Sequence, residues 1–352
     1  MISAKLNQPS GVVPGPIYYF CTNRHTYTLG IFKILWARDI APHLKIIPYS
    51  EAARIRSFGP GTFIFTDFDR VPEPARGRIG KLANHLEAHG CRVLNDPNSA
   101  LGRYDLLKAL HREGINDFDV HRLSQWKEVS RFPVFIRHED DHKVPVPDLI
   151  ADKAKLAEAA SRLAAGDNDL EHQIIVGMGN VPGADGRYRK YSAFRVGDEI
   201  YPADISISDQ WWIKYSNSDD SVRDQEEGSR FISENPHHGQ LERIFAIANV
   251  EYGRADYCVI DDRVQLFEIN TNPTISHMVV DEAREQESYA RRHEEALLRL
   301  LPGGTGPVAT PNPFFSPSRP ESDPDTISTA VMESRQSDWL RWWKAPEAGP
   351  QA

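Results

Sequence analysis

Cysteine, long apolar runs and surplus basic charge are all scarce in this chain, and each scarcity removes a class of protein. Cys21, Cys91 and Cys258 are its three cysteines. They stand far apart and in no CxxC or Cys/His spacing, so neither a disulfide framework nor a zinc site is indicated, and they read as small core residues in a reducing compartment. No stretch approaches the roughly 18 apolar residues that span a bilayer, and the N-terminus lacks a charged segment followed by an apolar run. A cytoplasmic protein with no membrane partner is expected. The net charge is −9 with the signs interspersed, which gives no electrostatic case for a nucleic-acid partner. No internal repeat of fixed period occurs.

The 352 residues, 40% hydrophobic and 26% charged, suffice for two or three subdomains with a substantial core. The first ~15 residues are polar and proline-bearing, and read as loose. Short apolar runs predict strands over Ile17 to Cys21, Leu44 to Pro48, Thr62 to Thr66 and Arg92 to Leu94. Helices are predicted over Leu29 to Ala37 and from Pro72 and Pro74 to about His89, where Gly90 stops the second. This alternation over ~95 residues reads as a small parallel α/β domain. A second module starts with a helix over Ala100 to Arg112, with Ser99 as its N-cap and Gly114 as its stop. A strand over Phe132 to Arg137, a helix over Asp148 to Ala165 and three strands follow, over Gln173 to Met178, Tyr188 to Val196 and Glu199 to Ser208. The polar stretch from Asn217 to Asn235 carries a helix, and Leu241 to Ala248 is another.

Arg254 to Ser276, RADYCVIDDRVQLFEINTNPTIS, carries the densest chemistry. Two β-rich runs, Ala255 to Ile260 and Val264 to Ile269, flank Asp261-Asp262-Arg263 and predict an antiparallel hairpin. Asp256, early on the first strand, and Glu268, late on the second, come to the same end. Asn270 shares a face with Glu268 by alternation. Two carboxylates and an amide oxygen make a hard-oxygen site of the kind Mg²⁺ prefers, with room for phosphate oxygens. Asp281 to Leu301 then predicts an amphipathic helix on the outside of the fold. The run of Pro, Gly, Ser and Thr from Pro302 to about Asp325 reads as disordered. The end, with Trp339, Trp342 and Trp343, is either a docking helix or a tail that covers a partner or substrate.

An N-terminal α/β domain, a helix beginning near Arg103, a strand ending in Arg137 and a closing hairpin with R-x-D and E-x-N together resemble the ATP-grasp superfamily. The motifs are nearest to carboxylate-amine ligases of the D-alanine ligase and ribosomal-protein-modifying glutamate ligase type, and the resemblance covers Ile17 to Pro273. It implies an α/β fold with α+β character in the nucleotide-binding part: a small N-terminal parallel domain over 1–95, then an ATP-grasp domain over 96–301 whose two α+β subdomains, about 118–180 and 181–301, clamp ATP. Residues 302–352 would form a tail. It further implies that Asp256, Glu268 and Asn270 hold two Mg²⁺ ions, or Mn²⁺ in their place, that bridge the ATP phosphates. Arg254 would contact the transferring phosphoryl group and the tetrahedral oxyanion. Arg103 and Arg137, where the family usually has lysine, would face the phosphates, Lys214 the γ-phosphate, and Lys190 the nucleotide or substrate cleft. Adenine is expected at the main chain of Val176 and Met178, with Ile136 and Phe267 as packing or ordinary core.

The implied reaction is ATP-dependent joining of a small-molecule or peptide carboxylate to an amine, or to a thiol, through an acyl phosphate. The chain departs from the family after Arg137. A glycine-rich phosphate loop is replaced by His138-Glu139-Asp140-Asp141-His142-Lys143, which either supplies donors from its side chains or is a solvated connection. Two other readings stay open: a nucleotide-binding module without catalysis, which that departure favours, and an ATP-dependent kinase on the same fold. Asp204 with Trp211-Trp212 suggests a partly aromatic cleft with an acid for an amino group, although core packing explains the tryptophans equally well.

Overall fold

The computed structural model describes residues 15–140, 148–166, 170–213, 222–275, 289–302 and 309–333. The chain divides into two compact units, residues 1–98 with 272–352 and residues 99–271. The first opens with β1 (Ile17–Cys21), α1 (Tyr27–Leu35), β2 (Leu44–Pro48), the two-residue β3 (Ser57–Phe58), β4 (Thr62–Phe65), α2 (Glu73–Ala88) and β5 (Arg92–Leu94). Strands β1, β2, β4 and β5 form a parallel sheet in the order β2-β1-β4-β5. Every residue of β1 and β4 is buried, as expected where both faces of a parallel sheet are covered. Phe20 and Phe65 stack at 5.1 Å and Tyr18 and Phe63 at 4.6 Å between neighbouring strands. Gly90 stops α2 at a φ of 77°, where a side chain would be strained.

The second unit begins with α3 (Arg103–Arg112), β6 (Val120–Arg122), β7 (Val134–His138), α4 (Lys153–Ala164) and β8 (Gln173–Gly177), and continues with β9 (Tyr188–Val196), β10 (Glu199–Ser208), α5 (Val222–Glu234), α6 (His238–Ala248), β11 (Tyr252–Ile260) and β12 (Arg263–Asn270). Two antiparallel sheets result, β6-β8-β7 and β10-β9-β11-β12. A parallel α/β unit and an α+β unit are the fold class read from the sequence. Two helices start later than expected. α3 is capped by Gly102 rather than Ser99, because the main chain before it is bound elsewhere: Leu101 N–H donates to Ala248 O at 2.9 Å and Ser99 O accepts from Asn249 Nδ2 at 3.1 Å. α4 starts after Asp152, whose side chain accepts from Lys155 N–H, while Ile150 bridges to Val134 of β7 and keeps 148–151 extended.

The first unit runs to Asn98 and also takes in the chain from Asn272 onward. Asn272 is buried there. Its Oδ1 accepts from the Tyr19 hydroxyl at 2.7 Å and from the Thr28 hydroxyl, and its Nδ2 donates to Asp67 at 2.8 Å. Of the helix expected over 281–301, α7 (Tyr289–Arg299) is described, and its inner face is deeply buried: His293 and Glu294 are fully enclosed, and Glu294 Oε1 accepts the N–H groups of Arg38, Asp39 and Ile40. Disorder over 302–325 is corrected for the residues described. β13 (Thr310–Pro311) pairs with β3, and buried Asn312 donates through Nδ2 to Ala52 O and Ile55 O at 2.9 and 2.8 Å. Ser316 N–H and Ser322 N–H reach Ala53 O and Arg54 O, and residues 324–333 are helical. A segment with few apolar residues is ordered here by main-chain pairing. Among the described residues no helix is long and apolar enough to cross a membrane. The three C-terminal tryptophans and the polar N-terminal segment before residue 15 lie outside the described residues.

Candidate active site

The hairpin of β11 and β12 turns on Asp261 and Asp262, both at positive φ (48° and 60°), so the loop is two residues long and of the type whose twist matches antiparallel strands. In its register Asp256 faces Glu268 and Arg254 faces Asn270. Directly opposed residues place their Cβ atoms about 4.5–5.5 Å apart, so the two carboxylates are neighbours on one face. The register then slips between Asp256 and Tyr257. This bulge lets two successive residues, Phe267 and Glu268, both line the same cavity, which strict alternation forbids. The free edge of β12 is fixed by Asn116, whose carboxamide exchanges two hydrogen bonds with the Leu266 main chain at 2.8 and 2.9 Å.

A cavity of about 290 Å³ opens on this face within the second unit. Its charged lining is Arg103, Arg137, Lys190 and Arg254 with Asp256 and Glu268, four cations against two carboxylates and a net charge of +2. Each carboxylate is held by cations. Arg103, the first residue of α3, binds the Glu268 carboxylate through one nitrogen and Glu139 O through another, and Arg137 at the end of β7 stands 4.0 Å from Glu268. Arg254 binds Asp256 in parallel, Nε to Oδ1 at 2.8 Å and Nη2 to Oδ2 at 3.2 Å. Lys190 Nζ lies 3.8 Å from Asp256, and Ser192 Oγ donates to Asp256 at 3.2 Å.

The apolar lining is Leu107, Phe118, Phe135, Val176, Trp211, Trp212, Ile213 and Phe267. Trp211 and Trp212 lie 5.3 and 5.5 Å from Phe135, and the Arg137 guanidinium sits 5.7 Å from the Trp212 ring. Gly179 is required by this wall, since a Cβ there would stand 2.2 Å from the Phe118 ring. The Cys258 thiol, pushed up to about 12 by burial, stays protonated and donates to Gly179 O at 3.0 Å.

Of the residues expected from the sequence, Arg103, Arg137, Val176, Lys190, Arg254, Asp256, Glu268 and Asn270 all line this one cavity. Met178 instead gives its N–H to Pro133 O at 3.0 Å. Val176 lies in the central strand of its sheet, between Val120 and Phe135, and contributes its side chain to the wall. Lys214 and residues 141–143 lie outside the described residues. Ile136 packs in the cluster of Leu123, Leu156 and Ala160 on the other face of β7, and Phe135 takes the place given to it. The signal was present, because Arg137 on the cavity side requires Phe135 there too and turns Ile136 away. Ser192, and Asn180 of the cavity lining, carried no local signal, since their places depend on which distant elements become neighbours. Glu139, Asp140 and His172 form a second group of potential metal donors, all within 4.8 Å of one another, though Glu139 is already held by Arg122 at 2.7 Å.

No family model and no curated protein matches the chain. Solved structures do. D-alanine–D-alanine ligase from Bacillus anthracis complexed with ATP is similar at a TM-score of 0.48 and 12% identity, over 83% of this chain and 97% of that one. The D-alanine–D-alanine ligase from Helicobacter pylori gives 0.45 and 12%, over 82% and 100%. A RimK domain ATP-grasp protein from Sphaerobacter thermophilus gives 0.44 and 14%, over 82% and 100%. Each is a protein to which the chain is similar.

Proposed function

We propose that this chain is an ATP-grasp ligase that joins a carboxylate to an amine, or to a thiol, at the expense of ATP. The observation that carries the reading is the pairing of Asp256 with Glu268 across the hairpin, inside a cavity that also gathers Arg103, Arg137, Lys190 and Arg254. A net positive lining beside an apolar wall suits a molecule with a polyphosphate at one end and a flat ring at the other. The all-oxygen donor set of Asp256, Glu268 and Asn270 fits Mg²⁺. Bound there, the ion would neutralise charge on the phosphates as the phosphoryl group moves.

The protein's share is positioning and charge. Arg103, Arg137 and Lys190 offset the polyphosphate and fix the γ-phosphorus in line with the incoming carboxylate oxygen. That oxygen bonds to phosphorus as the bond to ADP breaks, leaving an acyl phosphate. The amine nitrogen then bonds to the carbonyl carbon, the negative charge gathers on the carbonyl oxygen, and phosphate leaves as the amine proton passes to solvent. Arg254, with a fixed planar pair of donors, is the group suited to that oxyanion. Hydroxylamine tests the reading, because it traps acyl phosphates as hydroxamates. With ATP, Mg²⁺ and pooled carboxylates and alcohols the chain should yield hydroxamate, whereas a kinase yields a stable phosphate ester on an alcohol and a binding module yields neither.

A further inference from the structure

Asn180 lies just past β8, lines the cavity and is only 5% exposed. Its Nδ2 donates to the Trp211 main-chain O at 3.4 Å, and among the described residues this is the side chain's one hydrogen bond. That bond orients the carboxamide, since the flipped amide would set its oxygen against the Trp211 carbonyl. The amide oxygen and the second N–H are left to whatever enters the cavity. A polar side chain this deeply buried is ordinarily satisfied, and a ligand that completes its hydrogen bonds is stabilised accordingly.

Part of the neighbouring main chain is already committed. Gly177 N–H donates to Asp119 O and Met178 N–H to Pro133 O, both at 3.0 Å, and Gly179 O accepts the Cys258 thiol. Beside these, Asn180 presents a buried, oriented carboxamide with an acceptor and a donor to spare for the polar edge of a ring. We propose that Asn180 selects a 6-aminopurine, its oxygen accepting from the exocyclic amino group while its remaining N–H donates to the adjacent ring nitrogen. An asparagine carboxamide matches adenine in this paired way. A 6-oxopurine has an oxygen where the amino group was, and would meet the amide oxygen acceptor to acceptor. The proposal rests on the ATP reading of the cavity and names the group that makes it specific for adenine.

Calorimetric titration of the full chain with Mg²⁺-ATP and Mg²⁺-ITP, without other substrates, tests it. The wild-type chain should favour ATP by about ten- to a hundredfold, and Asn180→Ala should weaken ATP and leave the two nucleotides within about threefold of each other. A thermal melt of the variant checks that it folds, and the wild-type ratio needs no variant. Equal affinities in the wild type, or a preference that survives in Asn180→Ala, overturn the proposal alone. Binding of neither nucleotide overturns it together with the nucleotide reading beneath it.

Discussion

Arg254 Nε lies 2.8 Å from Asp256 Oδ1, two residues along the same strand. The cation assigned to the reacting phosphoryl group thus holds a carboxylate assigned to the metal, and Arg103 does the same to Glu268. On the proposed reading, loading with metal and polyphosphate would exchange partners, the carboxylates turning to the metal and the guanidinium groups to the phosphates. Bare Mn²⁺ should therefore bind poorly and gain strongly from a nucleotide triphosphate. Arg254→Ala should tighten bare Mn²⁺ about fivefold, the equivalent of roughly 1 kcal/mol for a partly exposed ion pair. Electron paramagnetic resonance of free Mn²⁺ during titration reads this directly, and an unchanged affinity would remove the competition.

Arg103 is 7% exposed at its side chain and bonds both Glu268 and Glu139 O. Arg103→Ala should lower Mg²⁺-ATP affinity about tenfold or more, in keeping with roughly 1.5–3 kcal/mol for hydrogen bonds to charged groups. Titration calorimetry measures it. Affinity within a factor of two of wild type would place the polyphosphate elsewhere.

Asn312 tests the ordering of the returning segment. Replacing it by alanine leaves Ala52 O and Ile55 O without its donors, and the chain should lose about 1–3 kcal/mol of stability. Urea unfolding checks the value. No loss would mean that residues 309–333 add little to the first unit.

His293 should make stability depend on pH. Burial lowers its pKa from 6.5 to about 3. The unfolded chain therefore binds the proton first as the pH falls, so the stability is fully present above pH 6.5 and declines from there toward pH 3. Across that window the wild type should lose about 1.4 kcal/mol per pH unit more than His293→Gln, one proton's worth of linkage. Parallel unfolding curves from pH 7 to pH 4 give the difference.

Much of this was legible in the sequence, for physical reasons that differ by element. The strands of the first unit are short apolar runs between turn residues, so β1, β2 and β5 fall where expected. That Asp256, Glu268 and Asn270 come together was legible because they lie on one local hairpin whose turn fixes the register. What local sequence could not carry were pairings between distant segments. Ser192 faces Asp256 only because β9 lies beside β11. Gly102 replaces Ser99 as a cap because the end of α6 claims the main chain before it. Residues 309–333 look too polar to fold, and their order comes from hydrogen bonds to the stretch between Ala52 and Arg56.

Phosphate release from ATP, with a pool of carboxylates and a pool of amines added singly and together, bears most directly on the ligase assignment. Wild-type chain should release phosphate only when both pools are present, and Asp256→Ala and Glu268→Ala should each abolish that release while remaining folded. Turnover unchanged in both variants, or release that ignores the amine, would contradict the account.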